Sequence, residues 1–409
     1  MSDRTVPSFS PDALAMRNDP YQAFAELREH DPLHRSDLGY WVVSRYDDVR
    51  SVLMNREDFG QGDFVENIRL FYGADFDVLG ERSYKWLSEV FLMQDPPHHT
   101  RVRSLVTGAL TAKRVRAMEP RIREITDALI DRIAGDGSAD LIASFAYELP
   151  VRVMCDMLGI DPNDPRLPAV AEAIAKSFIV FEARALTTAE LATANDQIKV
   201  LQDFFEELFN DRKVAPRDDL ATALVMSGGQ EDSLSHDELV TVAIGLFGAG
   251  FETTAHLIAN GVLSFSKYPE QWKLLTQDPE GLAPQAVDET LRYESSLIAT
   301  YRTALRRTEL HGQIIEVGTK VLTLIGSGNR DPRVFDDPDH FDIGRNRKKH
   351  LSFGGGIHFC VGAELARLEG SIAFERLATR LPNLRVETDD PAWREGFLFR
   401  GMSSLPARW

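Results

Sequence analysis

The strongest chemical feature of the chain is a cysteine in a glycine-rich loop. Residues 353–362 read Phe-Gly-Gly-Gly-Ile-His-Phe-Cys-Val-Gly and lead directly into a helix-like segment that begins at Ala363. The glycines let backbone N–H groups approach the sulfur of Cys360, the phenylalanines exclude water, and the helix start adds a positive dipole end. These features favour a thiolate held against a flat, bulky group. The alternative is a cysteine of the core, because free cysteine is among the most buried residue types.

The pattern Phe-Gly-x-Gly-x-His-x-Cys-x-Gly resembles the haem-binding signature of the cytochrome P450 superfamily, the haem-thiolate monooxygenases. The resemblance implies that Cys360 is the axial ligand of a haem b iron. It also places Phe353, Gly354, His358 and Gly362 in the cofactor-binding loop. Further motifs in the family's order extend the resemblance over nearly the whole chain. We therefore expect residues 1–409 to form one mainly α domain with a minor β region, a triangular helical fold around a buried haem.

A second motif lies in the longest predicted helix. This helix begins at a capping box, in which Ser235 and Glu238 satisfy each other's backbone N–H groups, and is apolar nearly all round. Its middle, residues 249–254, reads Ala-Gly-Phe-Glu-Thr-Thr, which puts an acid and an alcohol inside an apolar stretch. Thr253 can donate back to the carbonyl of Ala249 and open the helix locally. The alternative is a packing helix with a satisfied polar pair.

This segment resembles the oxygen-binding kink of the same family. The resemblance implies that Ala249 and Gly250 make room for dioxygen, that Thr253 hydrogen-bonds it, and that Glu252 helps to deliver protons. A branch of the family that uses hydrogen peroxide lacks this acid–alcohol pair. We therefore expect use of dioxygen with external electrons.

Two charged residues three positions apart, Glu289 and Arg292, share one face of a predicted helix. An exposed ion pair is the ordinary interpretation. Their position before Cys360 resembles the Glu-x-x-Arg core motif of the family, with His340 at the position of its third member. The resemblance implies a structural role, which is to hold the loop that leads to Cys360.

Residues 95–103, which read Asp-Pro-Pro-His-His-Thr-Arg-Val-Arg, resemble a further block of the family. His99 and Arg103 are four apart on one helical face and are expected to bind the haem propionates, whereas His98 and Arg101 point elsewhere. The resemblance adds Arg302 and His358 to this set. For each of these residues the alternative is a solvated surface cation.

Composition limits the partners. The chain has 409 residues and a formal net charge of −17, which argues against nucleic acid and anionic membranes. Two cysteines and no apolar N-terminal segment predict a cytoplasmic protein without a membrane anchor. We also expect a monomer. The chain shows no flavin or iron–sulfur motif and hence no fused reductase. We expect NAD(P)H-derived electrons from a separate ferredoxin and its ferredoxin reductase. The predicted docking cations form two clusters, Arg345, Arg347, Lys348 and Lys349, and Lys113, Arg114 and Arg116.

The substrate pocket is given by the resemblance and is mostly apolar, which suits a hydrophobic organic molecule. Its predicted lining is Phe64, Ile68, Phe71, Phe178, Phe181, Ala243, Ile244, Phe247, Leu297, Ile298, Phe397 and Leu398. For any one of them the alternative is ordinary core packing. Arg69 and Arg184 are candidates to meet a substrate carboxylate. Terpenoids, aromatic acids, fatty acids, macrolides and peptides all stay open.

The resulting hypothesis is a haem-thiolate monooxygenase that hydroxylates or epoxidises its substrate, in the manner of bacterial secondary metabolism. An enzyme of the same fold that couples or desaturates without inserting oxygen is the first alternative. A haem-binding sensor or carrier is the second. The pair Glu252 and Thr253 argues against the carrier, which has no need of a proton relay.

Overall fold

The structure is a computed structural model that describes residues 9, 16, 18–182, 184–228, 232–345, 349–388 and 391–409. In this part of the chain, helices dominate and the strands form three small sheets. The predicted fold class, mainly α with a minor β region, is confirmed.

The α-helices are numbered here in chain order. They are α1 Tyr21–His30, α2 Tyr46–Met54, α3 Phe64–Tyr72, α4 Arg82–Glu89, α5 His98–Ala109, α6 Ala112–Ala117, α7 Glu119–Ala134, α8 Glu148–Leu158, α9 Leu167–Ser177, α10 Thr188–Val214, α11 Leu220–Val225, α12 His236–Lys267, α13 Pro269–Gln277, α14 Pro279–Tyr293, α15 Ile325–Gly328 and α16 Ala363–Arg380. Short 3₁₀ turns cover Val78–Gly80, Phe91–Met93, Phe178–Phe181 and Gly356–His358, and a π-helical turn covers Ile142–Ala146.

The strands are short. They are β1 Leu33–Arg35, β2 Trp41–Val43, β3 Phe59–Gly60, β4 Ser138–Asp140, β5 Thr300–Ala304, β6 Thr308–Leu310, β7 Gln313–Ile315, β8 Lys320–Thr323, β9 Arg385–Val386 and β10 Pro406–Arg408. Residues 396–399, Gly-Phe-Leu-Phe, have a strand-like composition but do not form a strand. Gly396 has a φ of 107°, a value that favours a turn, and only an isolated bridge joins Phe399 to Leu297.

Helix α12 is the axis of the molecule. Ser235 Oγ accepts from the N–H of Glu238, and the Glu238 carboxylate accepts from the N–H of Ser235, as the capping box predicts. Its 32 residues span about 48 Å at 1.5 Å per residue. Helices α8, α10, α14 and α16 pack around it. By length and composition alone α12 is apolar enough to cross a membrane, but most of it is buried inside the protein.

The largest sheet has the strand order β1-β2-β8-β5-β3. Strands β5 and β8 are antiparallel, with Arg302 opposite Val321 and Thr303 opposite Lys320. Successive side chains of a strand point to opposite faces. The side chains of Tyr301, Thr303 and Lys320 therefore share one face of the sheet, and that of Arg302 lies on the other.

Candidate active site

The loop before α16 turns sharply around Cys360. Gly354 and Gly356 have φ values of 69° and 62°, which side chains disfavour, and the N–H of Cys360 donates to the carbonyl of Phe353 at 2.9 Å. Cys360 keeps an exposed surface although many protein atoms surround it. Burial raises the pKa of its thiol, and the N–H of Gly362 and the charge of Arg103 oppose that rise. The loop thus offers the sulfur the donor that a thiolate needs.

A stripe of open surface runs along the middle of α12. From Leu239 to Phe265 every residue is buried except Gly245, Leu246, Ala249, Gly250 and Thr253. At spacings of one, four, five and eight from the first, these five residues lie on one helical face. Open surface in the middle of a core helix indicates an internal space beside that face.

This stripe, hereafter the α12 stripe, borders the same region as the cysteine loop. A Cβ atom on Gly245 would lie 3.8 Å from Cγ1 of Val90. The ring of the next residue, Phe91, is 6.2 Å from the ring of His99, which is 4.4 Å from the ring of His358. His358 is two residues from Cys360. The structure therefore brings the two predicted motifs to one site.

The predicted acid and alcohol of α12 point in different directions. Thr253 Oγ1 donates to the carbonyl of Ala249 at 2.7 Å and belongs to the α12 stripe. Glu252 is buried, with Oε1 2.8 Å from Arg394, and Arg394 also donates to the hydroxyl of Tyr147. Burial raises the pKa of Glu252 to about 7, although the Arg394 charge opposes the rise. A proton that passes from Glu252 to Thr253 must therefore cross the helix surface, by way of water or a side-chain movement.

Four predicted cofactor-binding side chains are polar, and two of them, His99 and His358, have no hydrogen-bond partner among the described residues. The rings of both histidines are buried. Arg302 is 5% exposed and donates to the adjacent carbonyl of Tyr301. Burial lowers the pKa of Arg302 to about 10 and that of His358 to about 2. Arg103 donates to the carbonyl of Phe359.

Buried polar groups in proteins nearly always have partners. Anionic oxygens would satisfy the unpaired nitrogens of His99 and His358 and the charge of Arg302 at once. Among the described residues no group of three His, Cys, Asp or Glu side chains is close enough to hold a metal ion. A flat group with two carboxylates and a metal that takes one thiolate ligand fits these residues. In contrast, His98 and Arg101 both pair with Glu238, as expected of residues that point elsewhere.

The Glu289–Arg292 pair is a buried network, not a surface ion pair. Arg292 is 2% exposed and donates to both carboxylate oxygens of Glu289 at 2.8 Å. It also donates to the carbonyl of His340 at 3.1 Å, so His340 contributes its backbone and not its ring. The third charged side chain is that of Arg345, whose Nε is 3.2 Å from Glu289. The network ties α14 to the segment that leads to Cys360.

The predicted docking cluster is therefore wrong at Arg345, because the side chain of Arg345 points inward. Arg347 and Lys348 lie outside the described residues. Lys349 is exposed. In the second cluster Lys113 and Arg116 are exposed, and Arg114 lies 3.7 Å from Asp218.

The structure brings several predicted pocket residues together around one that the prediction missed. The ring of Phe399 lies 6.3 Å from Phe178 and 5.9 Å from Phe181, and its backbone pairs with that of Leu297. Phe178 also packs closely against α12, because a Cβ atom on Gly248 would collide with the ring of Phe178. On α3, Ile68 is buried, and Phe64 and Phe71 are partly exposed.

Three predicted pocket residues of α12 lie off the α12 stripe. Ala243, Ile244 and Phe247 are fully buried, and the ring of Phe247 packs 5.8 Å from that of Phe205 on α10. Counting back from Thr253 in helical turns leads to Gly245 and Leu246 instead. The 3.6-residue period of a helix, applied to the sequence, would therefore have identified Gly245 and Leu246.

Two further predicted pocket residues, Phe397 and Leu398, pack in a different cluster. The ring of Phe397 packs 5.7 Å from Phe9 and 6.4 Å from Phe24, within a cluster that buries Ile298 and Leu398. The turn at Gly396 directs Phe397 toward this cluster. Phe399, and not Phe397, contacts Phe178 and Phe181.

Comparison with known proteins gives the family. The sequence profile of the cytochrome P450 family matches residues 19–280 and 281–394. Cytochrome P450 107B1 of Saccharopolyspora erythraea is 38% identical and covers 97% of this chain and 98% of its own. Mycinamicin IV hydroxylase/epoxidase of Micromonospora griseorubida is also 38% identical and covers 94% of both chains. The crystal structure of myxobacterial CYP267B1 in complex with myristic acid superposes with a TM-score of 0.86 at 34% identity, over 97% of this chain and 98% of that one.

The chain therefore belongs to the cytochrome P450 family. It is a P450 monooxygenase, and the family implies a haem iron and the use of dioxygen. The predicted family and enzyme class are confirmed.

Proposed function

We propose that the enzyme hydroxylates or epoxidises a hydrophobic small organic molecule, with a haem b held by Cys360. Its electrons come from a separate ferredoxin and ferredoxin reductase, and it works in the cytoplasm. The observation that carries this proposal is that Cys360, the α12 stripe and the unpaired His99 and His358 lie on neighbouring segments. These three features would supply the metal ligand, the oxygen side and the propionate side of one site.

When bound, the haem supplies the redox chemistry that activates dioxygen and inserts one oxygen atom. Cys360 would ligate it, and the N–H of Gly362 would stabilise the thiolate by a hydrogen bond to its sulfur. His99, Arg103, Arg302 and His358 would bind its carboxylates. On the α12 stripe, Gly245, Ala249 and Gly250 are small, and they would leave room beside the bound haem.

Proton control falls to Thr253 and Glu252. The Thr253 hydroxyl is held by the Ala249 carbonyl at the α12 stripe, where it can exchange a proton with the reacting oxygen. Glu252, with a pKa raised to about 7, can both hold and release a proton near neutral pH. Arg394 is partly exposed and contacts Glu252, and so connects the buried carboxylate to solvent.

We expect an apolar substrate because the side chains beside the site are apolar. Phe178, Phe181, Phe399 and Leu297 form a continuous wall that a hydrophobic molecule would cover. The relative named as a hydroxylase and epoxidase supports either outcome of oxygen insertion.

The electron donor is expected to dock near α6. Helix α6 contacts α16, the helix that follows Cys360, and presents Lys113 and Arg116 to solvent. An acidic donor needs such a local basic patch because this protein is itself acidic, with a net charge of −17.

The test is a reconstituted reaction with ferredoxin, its reductase, NADPH and apolar probe molecules under ¹⁸O₂. We expect product that carries one labelled oxygen atom. In Lys113→Glu/Arg116→Glu we expect reduction by ferredoxin to slow about tenfold at low salt, while reduction by dithionite is unchanged. Lys273→Glu, an exposed lysine of α13, is the matched control. Unlabelled or absent product would contradict the function, and donor kinetics unchanged by both charge and salt would contradict the docking surface.

A further inference from the structure

Lys320 is a buried lysine with no acidic partner in the described part of the chain. It lies on β8 and is 9% exposed. No hydrogen bond or ion pair of its ammonium group is found there, and burial lowers its pKa to about 7 with no carboxylate to oppose the shift. Other buried cations differ. Arg212 pairs with Asp219 at 2.6 Å, and Arg292 pairs with Glu289 at 2.8 Å.

Two aromatic rings flank the ammonium group of Lys320. Nζ lies 4.9 Å from the centroid of Phe71 on α3 and 4.6 Å from that of Tyr301 on β5. Cation–π contacts offset part of the cost of desolvation, but taking an ammonium ion out of water costs more than such contacts return. The rings alone therefore do not explain why the sequence places a lysine here.

The surroundings of Lys320 belong to the apolar side of the predicted pocket. Thr303, on the same sheet face, donates to the carbonyl of Gln61 at 2.9 Å and to Oδ1 of Asn67 at 3.2 Å, so the start of α3 covers this face. Phe71 and Tyr301 pack against the same apolar cluster as Phe181 and Leu297. The ring of Phe181 is 5.1 Å from that of Phe178, which reaches α12 at Gly248. Apolar side chains thus connect Lys320 with the helix that carries Thr253.

The two arginines that the sequence offered for a substrate carboxylate are already engaged with acids. Arg69 pairs with Glu66 at 3.0 Å, and Arg184 pairs with Glu190 at 2.6 Å. Arg302 points to the opposite face of the sheet from Lys320. On the pocket side, Lys320 is left as the cation without an anion among these residues.

We propose that Lys320 binds the carboxylate of an apolar substrate acid whose chain extends along Phe71, Phe181 and Leu297 toward Thr253. This inference rests on the proposed function and narrows its substrate class to hydrophobic monocarboxylic acids. An incoming carboxylate would supply the missing counter-ion, and the two rings would shield the pair from water. The solved relative in complex with myristic acid shows that a P450 of this fold accommodates such a molecule.

The experiment uses the holoenzyme and two probes of equal chain length, myristate and 1-tetradecanol. Binding is measured by calorimetry and by the shift of the Soret band. Lys320→Met keeps the length and apolar stem of the side chain and removes its charge. We expect Lys320→Met to weaken myristate binding at least about tenfold and to change 1-tetradecanol binding less than about twofold. Lys273→Met, on the surface of α13, should change neither.

Equal affinity of wild type and Lys320→Met for myristate would overturn the assignment, and so would an equal loss for both probes. Failure of the wild type to bind myristate would also overturn it. These outcomes are separate from the proposed function, because oxygen insertion from ¹⁸O₂ into other apolar probes does not depend on Lys320. If Lys320→Met does not yield holoenzyme, Lys320→Gln removes the same charge with a polar side chain and is judged by the same ratio of affinities.

Discussion

Arg292→Leu is expected to prevent formation of stable holoenzyme. Arg292 makes five hydrogen bonds, to both oxygens of Glu289 and to the carbonyls of Asn329, Pro338 and His340. The substitution leaves the carboxylate of Glu289 buried without its bidentate partner. Breaking a buried ion pair in this way costs about 3–5 kcal/mol, a large part of the roughly 5–15 kcal/mol that stabilises a protein.

The substitution should also affect the active site, because Glu289 holds the segment that precedes the Cys360 loop. Its Oε1 also accepts from the N–H of Asp342 at 2.9 Å and from Arg345. The segment it holds, residues 338–345, precedes the loop of Cys360. We therefore expect low haem content as well as a lowered free energy of unfolding, both measured on purified protein by absorption and by urea denaturation.

Two controls distinguish a buried network from a general loss of charge. Lys199→Met removes an exposed pair with Asp203 and should cost less than about 1 kcal/mol. The double variant Glu289→Leu/Arg292→Leu should be more stable than Arg292→Leu alone, because it leaves no unpaired buried carboxylate. A single variant as stable as wild type, with full haem content, would show that the network does not hold the loop.

Thr253→Ala is expected to separate electron consumption from product formation. The hydroxyl of Thr253 is the polar group of the α12 stripe, and in the proposed function its loss would remove the donor that passes a proton to the reacting oxygen. We expect NADPH oxidation to continue, product per NADPH to fall at least about tenfold, and hydrogen peroxide to account for the difference. Haem content and substrate binding should be unchanged.

The neighbouring Thr254→Ala is the matched control. Thr254 is buried away from the α12 stripe, so its loss should leave product per NADPH near the wild-type value. An unchanged product yield in Thr253→Ala, or an equal loss in both variants, would contradict the assignment of Thr253.

Glu252 makes this chemistry depend on pH. Its pKa in the folded protein is about 7, above the ordinary value of 4.5, because burial disfavours the charged carboxylate. The folded state therefore binds this proton more tightly than the unfolded state, and the carboxyl lowers the free energy of unfolding as pH rises from about 4.5 to about 7. Proton delivery depends on the folded protein alone and should therefore change around pH 7, and both dependences should disappear in Glu252→Gln.

The sequence predicted the motif residues of the site better than the residues that line its substrate pocket. Cys360, Glu289, Arg292 and the capped helix α12 could be assigned because each has a fixed spacing or a local chemical reason. His340 could not be resolved in this way, since its contribution to the network is a backbone carbonyl. Every residue type has a backbone carbonyl, so such an acceptor cannot be predicted from the amino-acid sequence.

The pocket walls depend on tertiary packing. Phe247 and Phe397 have the right character but turn toward Phe205 and Phe9 respectively. Phe399 and Lys320 were missed because their roles come from the turn at Gly396 and from the register of β8 on β5. A one-residue change of register in a strand moves a side chain to the other face.

The most direct test of the account is the absorption spectrum of the dithionite-reduced protein with and without carbon monoxide. Ligation by the Cys360 thiolate predicts a strongly red-shifted Soret band in wild type that is lost in Cys360→His while the fold is retained. A Soret band typical of histidine ligation in intact wild-type protein, or a red-shifted band that persists in Cys360→His, would contradict the assignment of Cys360 as the haem ligand.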